Sequence, residues 1–243
     1  MTILAVLVDF DNVEAIHRRP GPVNLSKMLI SLLPSSLVSR YSAVTVRLYG
    51  GWRVDAVRTR LAQALVPDLQ LNSPCMISVG KFGSAIAIRM RVELADGPIA
   101  SRIILEGTFA RDRSVRKFSV RNSWPECANS NACGMIQFRS VSHATSCSQT
   151  NCNSALKDIL VRDEQKMVDT LMVADMAHQA FIENAKDIVL VSSDTDLWPG
   201  ILLSLRAGCG VTQIHTKTGG RTQNRLLSTL VGPMKNNYLQ LSV

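Results

Sequence analysis

Two short apolar runs, each driving into closely spaced aspartates, constrain this chain more than anything else in it. Val189-Leu190-Val191 leads through Ser192-Ser193 into Asp194-Thr195-Asp196-Leu197-Trp198-Pro199. Ile3 to Val8 leads directly into Asp9-Phe10-Asp11-Asn12. Unbroken runs of β-branched and aliphatic residues read as strands buried on both faces, which belong in parallel sheets covered by helices. Beyond the second acidic turn, the apolar segment Ile201 to Leu205 and then Ala207-Gly208 read as a helix closed by glycine. In an open α/β sheet, ligands sit beyond the carboxyl ends of the strands. Two such strands side by side bring four aspartates to one crevice.

The flanking pattern agrees with that architecture. Asn24 reads as the N-cap of a helix through Leu33, stopped by Pro34, and Ala43 to Tyr49 reads as a second strand. After Gly50-Gly51, the spacing of Val54, Val57, Leu61 and Leu65 predicts a helix. Ile86, Ile88, Met90, Val92 and Leu94 then alternate with polar or small residues, as in a half-exposed strand. Asp96-Gly97-Pro98 can turn it back through Ile99 to Glu106 as a β-hairpin. From Arg162 the α/β pattern resumes, with a helix expected over Glu164 to Ile182, strands at Ile188–Val191 and Val211–His215, and a closing helix over Asn224 to Val231. The expectation is a single α/β domain over 1–243, with a central, mainly parallel sheet. It carries two insertions, a hairpin with a basic segment at 84–123 and a cysteine-rich loop at 124–155.

That loop holds Cys127, Cys133, Cys147 and Cys152 among Ser, Asn and Thr. Four thiolates in two pairs suit a structural Zn²⁺, although the pair spacings are wider than usual. Free thiols on a plain loop and a disulfide-linked loop are the other two readings. Cys75 and Cys209 lie in apolar strand contexts and read as core. No apolar run approaches the length of a membrane span, and the N-terminal run stops at Asp9 without a basic lead. A cytoplasmic protein is expected.

Charge supplies the next constraint. The net charge is +8, and no Asp or Glu occurs from Leu197 to Val243, against Arg206, Lys217, Arg221, Arg225 and Lys235. A second basic stretch runs Arg111, Arg113, Arg116, Lys117, Arg121. Basic surface around an acidic centre suits a polyanionic substrate, RNA above all, with cations on the phosphates and carboxylates on a metal. The plain alternative is a solubilising charge excess. Asp9, Asp169, Asp194 and Asp196 are the candidate ligands, because clustered carboxylates repel unless protonated or neutralised, and Mg²⁺ or Mn²⁺ suits hard oxygen donors. Asn12 can orient the site. Lys166, Lys217, Arg221, Arg113 and Arg116 are candidate phosphate contacts. Asp175 lies six residues beyond Asp169, so on a helix the two side chains diverge by roughly 120°. It is read either as a rim ligand or as the partner of an arginine. Asp11 is read as an outer ligand or a turn-former.

Four motifs in order resemble those of NYN domains, within the PIN-like nucleases. These are Val8-Asp9-Phe10-Asp11-Asn12-Val13, Leu48-Tyr49-Gly50-Gly51-Trp52, Lys166-Met167-Val168-Asp169 with Asp175, and Ser192-Ser193-Asp194-Thr195-Asp196-Leu197. The last departs from the family pattern by Ser193 in place of glycine and Leu197 in place of an aromatic. The resemblance covers about 3–65 and 162–215. It implies a PIN-like, Rossmann-like three-layer fold and a Mg²⁺- or Mn²⁺-dependent endoribonuclease, with ligands at Asp9, Asp169, Asp194 and Asp196. Two other readings stand beside it. One is a non-catalytic RNA-binding or assembly module, with a protein partner or a second copy. The other is a phosphatase of the haloacid dehalogenase type, whose nucleophile motif Asp9-Phe10-Asp11 also resembles.

Overall fold

The computed structural model describes residues 2–80, 85–101, 103–112, 162–165 and 167–243, without the side chains of 111, 112 and 162–165. Seven strands form one sheet: β1 (Ile3–Asp9), β2 (Ala43–Tyr49), β3 (Cys75–Val79), β4 (Ile86–Leu94), β5 (Asp187–Val191), β6 (Gly210–His215) and β7 (Tyr238–Ser242). Their spatial order is β7-β6-β5-β1-β2-β4-β3, parallel throughout except for the edge strand β3. From β1 the chain first builds outward on one side and later returns to build on the other. The direction reverses between β1 and β5, where Val8 lies in register with Val191. That junction is the topological switch point at which such sheets open a crevice.

Period-two alternation sends each strand's side chains to two separate cores. Leu4, Val6 and Val8 of β1, with Val189 and Val191 of β5, pack with Val23, Leu25, Leu29 and Ile30 of the helix α1 (Pro22–Ser31) and Ala62 of α2 (Arg60–Asn72). Leu7, Ile188 and Leu190 face the opposite way. They pack with Leu171, Met172 and Met176 of α3 (Val168–Phe181) and Ile201 and Leu205 of α4 (Trp198–Arg206). The result is a three-layer α/β arrangement. Each fully buried aliphatic side chain contributes about 2 kcal/mol from removal of apolar surface from water.

Several expected elements differ. The β-hairpin expected within 84–123 is not formed as read: β4 pairs in parallel with β2 and antiparallel with β3, and the described residues of 99–106 contain no strand. Alternation identified a half-exposed strand but carried no information about its neighbours. The helix expected after Asn24 starts at Pro22, whose missing N–H and fixed φ suit the first turn. Thr59 caps α2 by accepting the Ala62 N–H, so that helix begins after a two-residue hairpin pair, Arg53–Val54 with Val57–Arg58. The helix expected from Glu164 begins at Val168, because Met167 takes φ +64° and Arg162–Gln165 is a strand paired with Phe109–Asp112. The closing helix shrinks to Asn224–Leu227, with a further turn at Pro233–Asn236.

Contacts divide the chain into two compact units, Met1–Phe109 with Gln165–Val243, and Ala110–Glu164. The cysteine-rich loop at 124–155, with Cys127, Cys133, Cys147 and Cys152, lies outside the described residues, as do Arg113, Arg116 and Lys166. Among the described residues, no helix is long and apolar enough to cross a membrane.

Candidate metal centre

Asp9 is the last residue of β1 and is 2% exposed. Asn12 donates to it twice, from its backbone N–H at 3.4 Å and from its side-chain amide, and Ser192 Oγ donates at 2.9 Å. Burial nonetheless pushes the Asp9 pKa up to about 6, with the Asp169 charge adding to the rise and the hydrogen bonds opposing it. Desolvation wins because a carboxylate loses more on leaving water than two or three hydrogen bonds return.

The same Ser192 hydroxyl accepts the Asp194 N–H at 3.0 Å, so one side chain ties the end of β1 to the acidic turn after β5. Asp194 caps a single 3₁₀ turn, Thr195–Leu197, by accepting the Asp196 N–H at 2.9 Å. A short acceptor one residue before a turn is what such a cap requires. Leu197, fully buried, anchors the far side of the turn. Asp169 arrives from α3, where the left-handed Met167 starts the helix late enough to place the carboxylate in the first turn.

Asp169, Asp194 and Asp196 each present an oxygen within 4.8 Å of the others. Among the described residues none of the three has a cationic partner, and Asp169 and Asp196 accept no hydrogen bond. The helix N-terminus favours negative charge at Asp169. Its pKa is still raised, first by desolvation and then by the charges of Asp194 and Asp196. Three converging, unneutralised carboxylates fit a hard divalent cation, which replaces mutual repulsion with attraction. Asp9 is not one of the three that converge; it lies one hydroxyl away, through Ser192.

The remaining candidates separate clearly. Asn12 is exposed and spends its amide on Asp9. Asp11 accepts the Gly51 N–H at 3.1 Å and approaches Arg18 at 3.6 Å, so it fastens the turn after β2. A side chain at Gly50 would collide with Asp11 and with the buried Trp52, which explains the glycine there. Asp175 is 1% exposed. It accepts Tyr49 Oη and the Ile99 N–H, each at 2.7 Å, with Arg47 at 3.7 Å, and so takes the arginine-pairing role rather than the rim-ligand one. Lys217 and Arg221 are exposed on the loop after β6, which begins at Thr216, bonded to Ser193 through its N–H at 3.0 Å.

The sequence motifs contain Ser192, Ser193 and Tyr49 but assign them no part in holding the acids, and Arg47 stands in none of them. The two serines precede the acids where a strand gives way to a turn, a place where hydroxyls commonly bond the backbone. Comparison with protein-family models, with curated proteins and with solved structures gave no match.

Proposed function

We propose that this protein is a metal-dependent ribonuclease of the PIN-like type, hydrolysing RNA phosphodiester bonds at the carboxyl edge of its sheet. The convergence of Asp169, Asp194 and Asp196 within 4.8 Å, with no cation among the described residues to neutralise them, carries the reading. In it these three acids hold Mg²⁺ or Mn²⁺. Asp9, fixed by Asn12 and Ser192, braces the acidic turn from beneath. Lys217 and Arg221, exposed on the neighbouring loop, meet backbone phosphates. When bound, such a cation lowers the pKa of water and offsets the charge that develops on a phosphodiester under in-line attack.

The phosphatase reading needs Asp9 as a nucleophile open to substrate. Its 2% exposure and the donors on both of its oxygens weigh against that role. The direct test incubates labelled single-stranded RNA with the protein in Mn²⁺, with the protein in EDTA, and with Asp194→Asn in Mn²⁺. Cleavage is expected only in the first. Equal cleavage in all three would contradict the proposal, and binding without cleavage would replace the enzyme with a binding module.

A further inference from the structure

The loop that carries Lys217 and Arg221 is held at both ends and pressed down in its middle. At its start, Thr216 donates its N–H to Ser193 Oγ at 3.0 Å, and the two hydroxyl oxygens lie 3.2 Å apart. At its end, Thr222 is 9% exposed and sits in a polar knot beneath the sheet edge. Its hydroxyl lies 2.6 Å from Tyr238 Oη, 3.2 Å from Gln213 Oε1 and 3.2 Å from His215 Nε2. Tyr238 donates to Gln213 Oε1 at 2.6 Å, and Gln213 donates to the Ser192 carbonyl at 2.9 Å. The Thr222 N–H is taken by Gln240 at 3.1 Å. Between the ends the chain makes a tight turn, the Gly220 N–H on the Lys217 carbonyl at 2.8 Å, with Gly219 at φ +69°. A β-carbon at Gly220 would stand 2.8 Å from His215 Cβ, so the turn lies flat on that ring's stem.

Buried polar side chains carry a desolvation cost and are retained where their hydrogen bonds fix a geometry. Here Gln213, His215 and Tyr238 converge on the Thr222 hydroxyl, whose loop is tied at its other end to Ser193, the residue before Asp194, while Lys217 and Arg221 meet no acid among the described residues. We infer that this knot is a positioning device: Thr222 and its partners hold the loop so that Lys217 and Arg221 grip the phosphates of a single-stranded RNA beside Asp194. The inference rests on the ribonuclease reading for its substrate, but it concerns binding, which is measurable without cleavage. A preset loop loses less freedom when it engages its ligand, and affinity follows from that saving.

The test measures binding of a fluorescein-labelled RNA oligonucleotide in EDTA across a potassium chloride series. The proteins are wild type, Thr222→Val, Thr222→Ser, Gly220→Ala, the double variant Lys217→Ala/Arg221→Ala, and the triple variant adding Thr222→Val. Thr222→Val is expected to weaken binding about tenfold and to reduce the salt slope by about one to two, as loss of one or two phosphate contacts does. Thr222→Ser, which keeps the hydroxyl, restores both. Gly220→Ala leaves the knot's own side chains in place but lifts the turn from His215, and it gives the same loss should Thr222→Val fold poorly. The triple variant binds no more weakly than the double, because the threonine acts through the two cations. Additive losses in the triple variant, an unchanged salt slope in both Thr222→Val and Gly220→Ala, or no RNA binding by wild type would overturn the inference. Binding that behaves as expected without any cleavage in Mn²⁺ sinks the ribonuclease reading and leaves this one standing.

Discussion

Asp169 and Asp175 sit on the same helix and meet opposite fates. The first lies in the opening turn of α3, facing Asp194 and Asp196, and accepts no hydrogen bond among the described residues. The second, rotated about 120° further round the helix, is sealed beneath Tyr49, the Ile99 backbone and Arg47. Burial raises the pKa of both. At Asp169 the neighbouring acids add to that rise, whereas at Asp175 the Tyr49 hydroxyl, the Ile99 N–H and Arg47 all pull it down. One helix thus carries an acid whose charge awaits a partner and an acid whose charge already has several. Proximity in sequence says little about role. The donors that the fold brings up decide it.

That contrast can be broken by substitution. The largest effect is expected from Asp169→Asn, which should lower Mn²⁺-dependent RNA cleavage by more than about 100-fold while leaving the thermal midpoint unchanged or slightly raised. Relief of repulsion among three acids accounts for the second part. Asp175→Ala should do the reverse. It strands the Tyr49 hydroxyl, the Ile99 N–H and one side of Arg47, and should cost about 3 kcal/mol in denaturant unfolding, with cleavage per folded molecule retained. Tyr49→Phe removes one of those donors and should cost about 1.5 kcal/mol by the same assay. Loss of cleavage in Asp175→Ala beyond its loss of folded protein would erase the distinction between the two acids.

The smallest effect is on pH dependence. Asp9, at about 6, binds its proton more tightly in the folded protein than in the unfolded chain. The stability it contributes is therefore fully present below about pH 4 and is lost as pH rises through about 6. Asp169, also raised, acts in the same direction. A cation at the cluster competes with protons, so Mn²⁺ should raise the thermal midpoint by a few degrees at about pH 7.5 and by less at about pH 5. A larger Mn²⁺ shift at the lower pH would contradict the assignment of these acids.

What the sequence made legible follows from the same physics. β1 and β5 are legible because strands buried on both faces are nearly uninterrupted apolar runs, and the acids at and beyond their carboxyl ends are legible with them; β2 and β6, interrupted by Thr45, Arg47, Thr212 and Gln213, are legible only as short segments rich in β-branched and aliphatic residues. The neighbours of β4 were not readable, since alternation records burial of one face and is silent on pairing. β7 is an edge strand whose Tyr238, Gln240 and Ser242 alternate with Leu239 and Leu241, too weak a pattern to stand out beside the preceding turns. By position alone, at the end of the central strand, Asp9 is an equal of the other acids. The hydroxyl of Ser192, 183 residues away, sets it apart, and no local pattern announces a contact at that separation. Asp175 was half legible: helical rotation excluded a shared ligand position with Asp169, but its sealing donors come from β2 and from the segment after β4.

Calorimetric titration of Mn²⁺ into wild type, Asp169→Asn and Asp175→Asn at about pH 7.5 addresses the central claim most directly. Wild type and Asp175→Asn should bind the ion alike, and Asp169→Asn should lose at least about tenfold in affinity. Equal affinity in all three proteins, or no binding by wild type, would contradict the assignment of a cation to the acids at the carboxyl edge of the sheet.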